Sequence, residues 1–359
     1  MHKLNTPFYD AASKLGLQCT NISHLDLLKI SLGGKNYYIK SVWLPLNNSA
    51  SVTIALNKYA MNRLLHDKGF PVSKAIKISR EQWSSQPLSE LLHGIKFPLV
   101  AKPMRNTGRG QDVQCNIKDL TVLSDYFNRM ITKYPMIHIE EFQTGLKEYR
   151  VTILKNKVVG VVERHAPSVV GDGIHSIHEL INIKNAARKT LSRVTTHEPL
   201  VYDEEYRLCL EEQGLNRESI IPEGEKVQLC YTVNLGRGGD IFSLGTEIHP
   251  QNKRILCRLV REVGLDYSGL DILCEDILQP FTQGKWFVIE ANYSSDTTLH
   301  TAPAQGKKAA LAEAILMHIV RRHPFSYLYE TAIKEYRGIW IKLLGIVFLI
   351  LFFNILLFP

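Results

Sequence analysis

The sequence contains no Cys-x-x-Cys pair, and its cysteines are widely separated along 359 residues. The six are Cys19, Cys115, Cys209, Cys230, Cys257 and Cys274. Such spacing argues against a zinc ribbon and against a disulfide framework, and it favours a reducing compartment. The first residues of the chain also lack the apolar core of a secretory signal peptide, so no export signal is predicted there.

Several widespread binding and catalytic motifs are absent as well. There is no Gly-Lys-Ser/Thr loop of the Walker type, and no third glycine opens a helix as in a dinucleotide fingerprint. No Ser-His-Asp or Cys-His arrangement stands out. The net charge of +8 is scattered, with no basic run interleaved with aromatics, so nucleic acid is not an expected partner. An acidic ligand or an anionic membrane surface explains this charge equally well.

Residues 97–110 form the stretch around which the prediction is organised. An apolar strand, which Pro103 closes, carries Lys102 near its end and runs into a loop with Gly108 and Gly110. The two glycines let backbone N–H groups approach an anion, and the lysine adds a point charge on the same phosphate. Taken alone, the stretch fits an ordinary tight turn equally well.

Apolar periodicity divides the chain into a short N-terminal α/β lobe (1–50), a larger α+β segment (51–325), a linker (326–338) and an apolar C-terminal segment (339–358). Within the N-terminal lobe, a strand at 27–32 is followed by a glycine hairpin. The main elements predicted beyond it are helices at 51–68, 119–133, 177–187 and 252–263, and strands at 75–78, 136–142, 148–155, 157–164, 270–274 and 286–292.

Acidic side chains lie at two predicted strand ends. Glu140-Glu141-Phe142 ends one strand, and buried acids are costly unless they have partners, which an adenine and ribose would supply. Glu290 and Asn292, at i and i+2, project from one face of another strand. Together with Asp271 they offer oxygen ligands, which suit Mg²⁺ bridging phosphates better than they suit zinc.

The C-terminal segment 339–358 is almost wholly apolar. At 1.5 Å per residue, about 20 residues reach roughly 30 Å, the thickness of a hydrocarbon core. This predicts a single transmembrane helix and a membrane as partner; the alternative is a buried C-terminal core helix. Since positive charges lie only on its N-terminal side, the predicted location is a single-pass membrane protein with the catalytic part in the cytoplasm.

The order of these parts resembles the ATP-grasp superfamily, above all the ATP-grasp domain of cyanophycin synthetase and of the bifunctional glutathione synthetases. The resemblance covers roughly residues 50–320. Its motifs are Lys102 with Gly108-Arg109-Gly110, Glu140-Glu141-Phe142, Glu148-Tyr149-Arg150-Val151, Val169-Val170-Gly171-Asp172-Gly173, His197-Glu198-Pro199-Leu200, Asn234-Leu235 with Gly238-Gly239, Glu247-Ile248-His249-Pro250, Leu270-Asp271-Ile272 and Ile289-Glu290-Ala291-Asn292.

The resemblance implies an α+β ATP-grasp fold, whose two lobes clasp ATP, and the cofactors ATP and Mg²⁺, with two ions expected and Mn²⁺ as an alternative. It also implies residue roles. The ATP phosphates would be contacted by Lys58 and Lys102 and covered by a loop of Thr107, Gly108, Arg109 and Gly110. The adenine would be held by Glu140, Glu141 and the Phe142 backbone, and the ribose by Glu148. The metal would be held by Asp271, Glu290 and Asn292, and the transferring phosphoryl group and the bound acid would be faced by Arg150, Arg164 and Arg237.

In such enzymes a carboxylate takes the γ-phosphate of ATP, and an amine captures the acyl phosphate as an amide. The expected substrates are therefore an amino acid or peptide carboxylate and an amine, and a homo-oligomer is compatible with the resemblance. Thr298 stands where the family has an arginine, and Asp296 adds a negative charge, so both are expected to line the substrate pocket. Two rival interpretations are an ATP-grasp kinase acting on a hydroxyl and a non-catalytic, nucleotide-sensing membrane adaptor.

Overall fold

The computed structural model describes residues 4–105, 110–190, 198–301, 303, 305–333 and 337–357, without the side chains of residues 332, 333, 337, 338, 340 and 352–357. Four residues named above lie outside the described residues: Thr107, Gly108, Arg109 and His197. The chain forms two compact units, one of Met1–Pro45 with Ala312–Pro359 and one of Leu46–Leu311. The four-segment division predicted from the sequence stays a prediction.

The helices and strands are numbered in chain order. The α-helices are α1 Thr6–Lys14, α2 Ser49–Ala55, α3 Lys58–Asp67, α4 Arg80–Ser85, α5 Leu88–Leu91, α6 Leu120–Met130, α7 Ile177–Thr190, α8 Glu204–Glu212, α9 Pro250–Val263, α10 Thr298–Thr301, α11 Leu311–Arg322, α12 Pro324–Leu328 and α13 Arg337–Leu357. The strands are β1 Gln18–Ile22, β2 Leu27–Leu32, β3 Lys35–Ile39, β4 Ala75–Ser79, β5 Leu99–Pro103, β6 Gln114–Ile117, β7 Met136–Glu141, β8 Lys147–Leu154, β9 Lys157–His165, β10 Ser168–Val170, β11 Lys226–Gln228, β12 Asp240–Gly245, β13 Tyr267–Cys274, β14 Trp286–Asn292 and β15 Gly306–Lys307.

The unit formed by the two ends of the chain contains a three-stranded antiparallel sheet in the order β1-β2-β3. In β2 every second side chain is buried (Leu28, Ile30 and Leu32), which confirms the predicted strand. Gly33 and Gly34 both have positive φ and form the predicted hairpin turn into β3. Strand β1 was not predicted, because its side chains are mostly exposed and carry no apolar alternation.

The prediction of a membrane anchor over residues 339–358 is wrong. Among the described residues, none of the helices combines the length and the apolarity that crossing a bilayer requires. The predicted membrane partner, the single-pass location and the orientation argument therefore fall together with the span.

The unit Leu46–Leu311 contains the two large sheets. One has four strands in the order β4-β7-β5-β6, and the other has six in the order β14-β13-β8-β9-β12-β15. Strand β7 lies between β4 and β5 and pairs antiparallel with both. Strand β8 lies between β13 and β9 and also pairs antiparallel with both. A further pair of short strands, β10 and β11, is antiparallel as well.

Each large sheet is covered by an amphipathic helix. Helix α6 buries Leu123, Tyr126 and Phe127 in the core of the four-stranded sheet. Helix α9 begins with Pro250 in its first turn and ends at Gly264, whose φ of 77° is the left-handed conformation of a helix C-cap. Its buried face joins the core of the six-stranded sheet. Apolar spacing therefore placed both helices correctly, to within a few residues at each end.

The helix predicted over 51–68 is in fact two helices, α2 and α3. Asn57 lies between them with extended backbone, and its side-chain oxygen accepts a hydrogen bond from the Ala60 N–H at 3.1 Å. An asparagine in this role starts a new helix, because it satisfies one of the N–H groups that a first turn leaves unbonded. Lys58 thus becomes the first residue of α3 rather than a residue in the middle of a long helix.

Asn252, on the buried side of α9, provides a test of the packing beneath the six-stranded sheet. It is fully buried; its Nδ2 donates to the carbonyls of Ile277 (2.9 Å) and Gln279 (2.7 Å), and its Oδ1 accepts from the Phe281 N–H at 2.8 Å. We expect Asn252→Ala to lower the free energy of unfolding by at least about 2 kcal/mol, because buried polar groups lose their partners. Chemical denaturation measures this.

The neighbouring Gln251 is the matched control. Its side chain accepts only a 3.3 Å hydrogen bond, in an exposed position, from the Thr282 hydroxyl. Gln251→Ala should therefore change the free energy of unfolding by no more than about 0.5 kcal/mol. Equal effects of the two substitutions would show that the buried hydrogen bonds of Asn252 contribute no more to stability than the exposed bond of Gln251.

Candidate active site

A cleft of about 900 Å³ lies within the unit Leu46–Leu311. The four-stranded sheet contributes Lys102 and Glu140 to its lining, and the six-stranded sheet contributes Arg164, Asp271 and Glu290. This volume is at the upper end of the range typical of sites for small molecules and cofactors. The two sheets thus bring most of the predicted site residues to one cavity.

The register of the six-stranded sheet explains why its charged side chains meet. Asp271 on β13 pairs with Arg150 on β8 on one side and with Glu290 on β14 on the other. Glu148, two residues before Arg150, pairs with Arg164 on β9. Since side chains alternate between the faces of a strand, all five side chains project from the same face. Four strands therefore build one charged row of three carboxylates and two guanidinium groups.

Within this row Asp271 is held by two arginines. Its carboxylate bonds the Nε of Arg150 through one oxygen and the Nη2 of Arg150 through the other, at 3.0 Å. The Nη1 of Arg164 lies 3.2 Å from Oδ1 of the same carboxylate and donates to Glu148 Oε1 at 2.7 Å. Bidentate Arg–carboxylate pairs fix geometry as well as charge.

These contacts determine which acids are ionised. Burial raises the pKa of Asp271, but Arg150 and Arg164 oppose this and hold the pKa below its usual value. For Glu148 burial dominates and raises the pKa to about 7, a shift that Arg164 only partly opposes. The carboxylate at the centre of the row therefore stays charged near neutral pH, while its neighbour titrates there.

Asn292 joins the two carboxylates beside it. Its Nδ2 donates to Glu290 Oε1 at 2.8 Å and to Asp271 Oδ2 at 3.2 Å. A polarised N–H group thus lies between two acidic oxygens, where a cation would be stabilised, and rotating the amide would present its oxygen instead. The described residues contain no group of three His, Cys, Asp or Glu side chains arranged to hold a metal. Two carboxylates and an amide fit an oxygen-preferring cation that takes its other ligands from phosphate.

The opposite wall presents lysines. Lys102 is buried, and its Nζ lies 2.5 Å from Glu140 Oε1, while His138 Nε2 lies 2.8 Å from the other oxygen of Glu140. Lys58 also lines the cleft, and burial lowers its pKa. The adenine role predicted for Glu140 stays a prediction, but both oxygens of this carboxylate are engaged by protein side chains.

Other predicted residues line the cleft through different contacts. Glu141 accepts a hydrogen bond from the Lys96 N–H at 3.1 Å, and the Phe142 N–H donates to the Pro98 carbonyl at 2.8 Å. At Gly110, φ is 74°, and a Cβ would lie 2.6 Å from Cγ2 of Thr232. This position therefore requires glycine for both its backbone conformation and its close packing.

Of the three arginines predicted to be catalytic, Arg237 lies apart from the charged row. Like Arg150, it is absent from the described lining of the cleft. Its Nη2 lies 2.6 Å from Asp203 Oδ2 and 3.1 Å from Glu205 Oε2, and its guanidinium lies over the Tyr206 ring. The predicted catalytic arginines are thus divided: Arg150 and Arg164 lie together, and Arg237 is bonded elsewhere.

Sequence reasoning missed a buried polar group behind Arg150. Ser295 accepts from Arg150 Nη1 at 3.3 Å and lies 3.3 Å from the Thr152 hydroxyl, which lies 2.8 Å from His300 Nε2. Burial lowers the pKa of His300 to about 3, so the imidazole is neutral. Arg150 and Thr152 lie two residues apart in a strand, so the sequence does indicate that their side chains share a face. No sequence pattern predicts that residues 295–300 fold back to contact them.

Asp296 and Thr298, predicted to line the substrate pocket, contact each other. The N–H and the hydroxyl of Thr298 both donate to Asp296 Oδ1, at 2.8 and 2.7 Å. Thr298 is buried, and neither residue is among the described lining of the cleft. Their role in choosing the substrate stays a prediction.

The two sheets and the cleft they line define the ATP-grasp fold. A crystal structure of a bifunctional glutathione synthetase from Pasteurella multocida matches 89% of this chain and 43% of its own chain, with a TM-score of 0.59 and 23% identity. At this identity the likeness shows the fold alone. It confirms the predicted α+β ATP-grasp architecture, apart from the membrane helix corrected above.

The sequence relatives include synthetases of two kinds. A cyanophycin synthetase from Crocosphaera subtropica is 29% identical over 289 residues, 79% of this chain and 33% of that protein. The glutathione biosynthesis bifunctional protein of Mannheimia succiniciproducens is 27% identical over 317 residues, 86% of this chain and 41% of that protein. No family model matches the chain.

These findings confirm the predicted resemblance to the ATP-grasp superfamily and to both kinds of synthetase. The predicted enzyme class, a ligase, agrees with the names of these relatives, which are a synthetase and a glutathione biosynthesis protein. The chain spans only about a third to two fifths of their length.

Gly160 makes room for the buried histidine behind Arg150. A Cβ at this position would lie 2.4 Å from His300 Nδ1, and His300 is fully buried. We expect Gly160→Ala to lower the free energy of unfolding by about 1–3 kcal/mol, because the imidazole must move within a packed core. Thermal or chemical denaturation measures the change.

A double-mutant cycle provides the control. If the clash with His300 causes the loss, Gly160→Ala should cost at least about 1 kcal/mol less in a His300→Ala background than in the natural chain. Additive costs would mean that the alanine is accommodated without displacing the histidine.

Proposed function

We propose that the protein is an ATP- and Mg²⁺-dependent carboxylate–amine ligase, which forms an amide through an acyl phosphate. One observation carries the proposal: the charged row, three carboxylates and two guanidinium groups on one sheet, borders a nucleotide-sized cleft that two lysines, Lys58 and Lys102, also line. Charge that develops on phosphoryl oxygens is best stabilised by cations and fixed donors. The resemblance to two kinds of amide-forming synthetase supports the same chemistry.

The nucleotide is proposed to lie along the four-stranded sheet. Lys58 and Lys102 face its phosphates, and Glu141 with the backbone of Phe142 borders the adenine at the end of β7. The N–H groups of these last two residues donate to the Lys74 and Pro98 carbonyls, which fixes the strand end. Glu148 remains our candidate for the ribose, within reach of the same cleft.

Asp271, Glu290 and Asn292 would hold Mg²⁺. The ion, when bound, neutralises phosphate oxygens and so lowers the cost of transferring a phosphoryl group. The protein's part is to keep Asp271 ionised by means of Arg150 and Arg164 and to hold Glu290 beside it through Asn292. Two ions and a role for Mn²⁺ stay predictions.

The reaction is proposed to proceed in two displacements. An oxygen of the substrate carboxylate attacks the γ-phosphorus of ATP, the bond to the β–γ bridging oxygen breaks, and ADP leaves. The amine then attacks the carbonyl carbon of the acyl phosphate, phosphate leaves, and the amine gives up a proton. Arg150 and Arg164, already fixed by carboxylates, supply stationary positive charge to both steps. Their positions need no reorganisation during the reaction, which is the main advantage of such pairing.

The substrates are proposed only as chemical classes. The names of the relatives concern cyanophycin and glutathione, so we propose an amino acid or peptide carboxylate and an amine as the substrate pair. Homo-oligomer formation stays a prediction.

Phosphate release by the purified protein distinguishes this proposal from its rivals. Acids and amines are tested in all pairs, and both ADP and phosphate are measured. A ligase releases phosphate only when an acid and an amine are present together. A kinase produces ADP but retains the phosphate on an alcohol product. A nucleotide-binding adaptor binds ATP and releases neither; either of the last two results would overturn the ligase.

Glu290 tests the metal site. We expect Glu290→Gln to reduce amide formation by more than tenfold, about 1.4 kcal/mol or more of transition-state stabilisation, because a ligand carboxylate is lost. Steady-state ADP release with saturating substrates is the measurement. Turnover within tenfold of the natural enzyme would count against the assignment of Glu290.

Glu262→Gln is the matched control. Glu262 forms a surface ion pair with Lys68 at 3.0 Å and has no role in the proposed site. Such exposed pairs contribute little to stability. The same charge change there should leave ADP release unaltered. A loss of ADP release in Glu262→Gln would show that removing any negative charge has this effect.

A further inference from the structure

Strand β7 brings two buried polar side chains against Lys102. In the antiparallel register His138 pairs with Lys102, and Glu140 pairs with Val100 two residues earlier. Because alternate residues share a face, Lys102, His138 and Glu140 all project from the same side of the four-stranded sheet. The contact is therefore built into the pairing of two strands and does not depend on a loop.

These three side chains are more completely buried than most charged groups. Relative exposure is 6% for Lys102, 5% for Glu140 and 1% for His138. One oxygen of Glu140 lies 2.5 Å from the Lys102 ammonium, and the other lies 2.8 Å from His138 Nε2. Nδ1 of His138 has no hydrogen-bond partner among the described residues. Within the described part of the chain, the imidazole is therefore held through its bond to Glu140.

We propose that Glu140 is a positioning residue that keeps the Lys102 ammonium charged and directed at the nucleotide phosphates, with His138 fixing Glu140 in turn. This inference rests on the proposed function, since it assumes that Lys102 contacts ATP. It gives Glu140 a different role from the adenine contact implied by the family resemblance, because both of its oxygens are used by side chains of the protein.

The physical reason is the cost of burying an ammonium group. Burial lowers the pKa of a lysine, and the effect is visible at Lys58, whose pKa falls. At Lys102 burial acts in the same direction, but Glu140, followed by Glu290, opposes it, and the pKa is raised above its usual value. Glu140 itself is held ionised, with a pKa of about 2, because Lys102 and His138 outweigh its own burial.

The other charged and titratable groups that influence Lys102 come from three elements. Lys58 on α3 opposes its charge, Glu290 on β14 favours it, and Cys115 on β6 adds a minor effect. Burial lowers the pKa of His138, so its imidazole is neutral and contributes no charge near neutral pH. Without Glu140, Lys102 would be left in a buried site opposite another lysine, with Glu290 as the remaining acidic group.

The substitution Glu140→Gln removes the charge and keeps the shape of the side chain. The pKa of Lys102 should then fall into the measurable range, because buried lysines can shift by several units. We expect the dissociation constant of a non-hydrolysable ATP analogue to rise at least about tenfold between pH 7 and pH 9 in this variant, relative to the natural chain over the same range. The affinity should recover at the lower pH values, where the Lys102 ammonium is protonated. Calorimetry at a series of pH values measures the dissociation constant.

Two controls isolate the charge on Lys102. Glu141→Gln removes a neighbouring carboxylate that accepts from the Lys96 backbone, and any change in affinity it causes should be equal at every pH. In a Lys102→Arg background Glu140→Gln should produce no alkaline loss, because a guanidinium stays protonated throughout this range. A role for Glu140 in packing alone would give the same pH profile with either cation.

The outcomes are separable. If the natural chain binds no ATP analogue, the proposed function fails before this inference is tested. If it binds and the Glu140→Gln profile is flat, or is lowered equally at all pH values, the positioning role is overturned while the ligase proposal stands. Should Glu140→Gln not fold, His138→Phe removes only the bond to Glu140, and it should produce a smaller alkaline loss of affinity; an unchanged profile would overturn the inference.

Discussion

The ion pair between Arg150 and Asp271 is the interaction on which the rest of the site depends. An isolated buried carboxylate would be neutralised by a proton, because desolvation disfavours its charged form. Two guanidinium groups reverse this at Asp271, and the acid stays ionised on a sheet whose opposite face packs into the apolar core. Removing either partner would leave an uncompensated buried charge, which is far more costly than the net value of the pair. The charged row is therefore a single unit rather than a set of independent residues.

The register of the sheet is what makes this unit possible. Arg150, Asp271 and Glu290 come from three adjacent strands and meet because they occupy paired positions. The spacing of Glu290 and Asn292 could be read from the sequence as two side chains on one face, and the structure places them so. Which strands are neighbours could not be read in this way, because β8 and β13 are more than one hundred residues apart and pattern alone does not pair them. The family resemblance grouped these side chains by their roles, but it was not used to pair the strands.

The failures of the sequence prediction have different physical causes. The break between α2 and α3 was missed because Asn57 acts as a cap, and an asparagine within an apolar periodic run does not reveal that role until its side chain is seen to bond Ala60. The burial of His300 was missed because it depends on Gly160, which lies far away in the sequence and leaves space for the imidazole. The membrane span was expected from the length and apolarity of residues 339–358 and from the positive charges before them. Strand order and close approaches of this kind are tertiary properties, whereas the Asn57 cap is a local one.

The charges lining the cleft explain why the proposed chemistry requires a divalent cation. Among the lining residues that the structure describes, Lys58, Lys102, Lys147, Arg164 and Lys226 are cationic, and Glu140, Glu141, Glu148, Glu163, Asp271 and Glu290 are acidic. These side chains compensate one another almost completely, and much of the compensation is local, as in the pair of Lys102 with Glu140. ATP carries roughly four negative charges, which such a cleft cannot neutralise, so cations must arrive with the nucleotide. In the proposed reaction the acidic pair Asp271 and Glu290 would bind those cations at the phosphates, while Arg150 and Arg164 hold the pKa of Asp271 below its usual value and so keep that carboxylate charged.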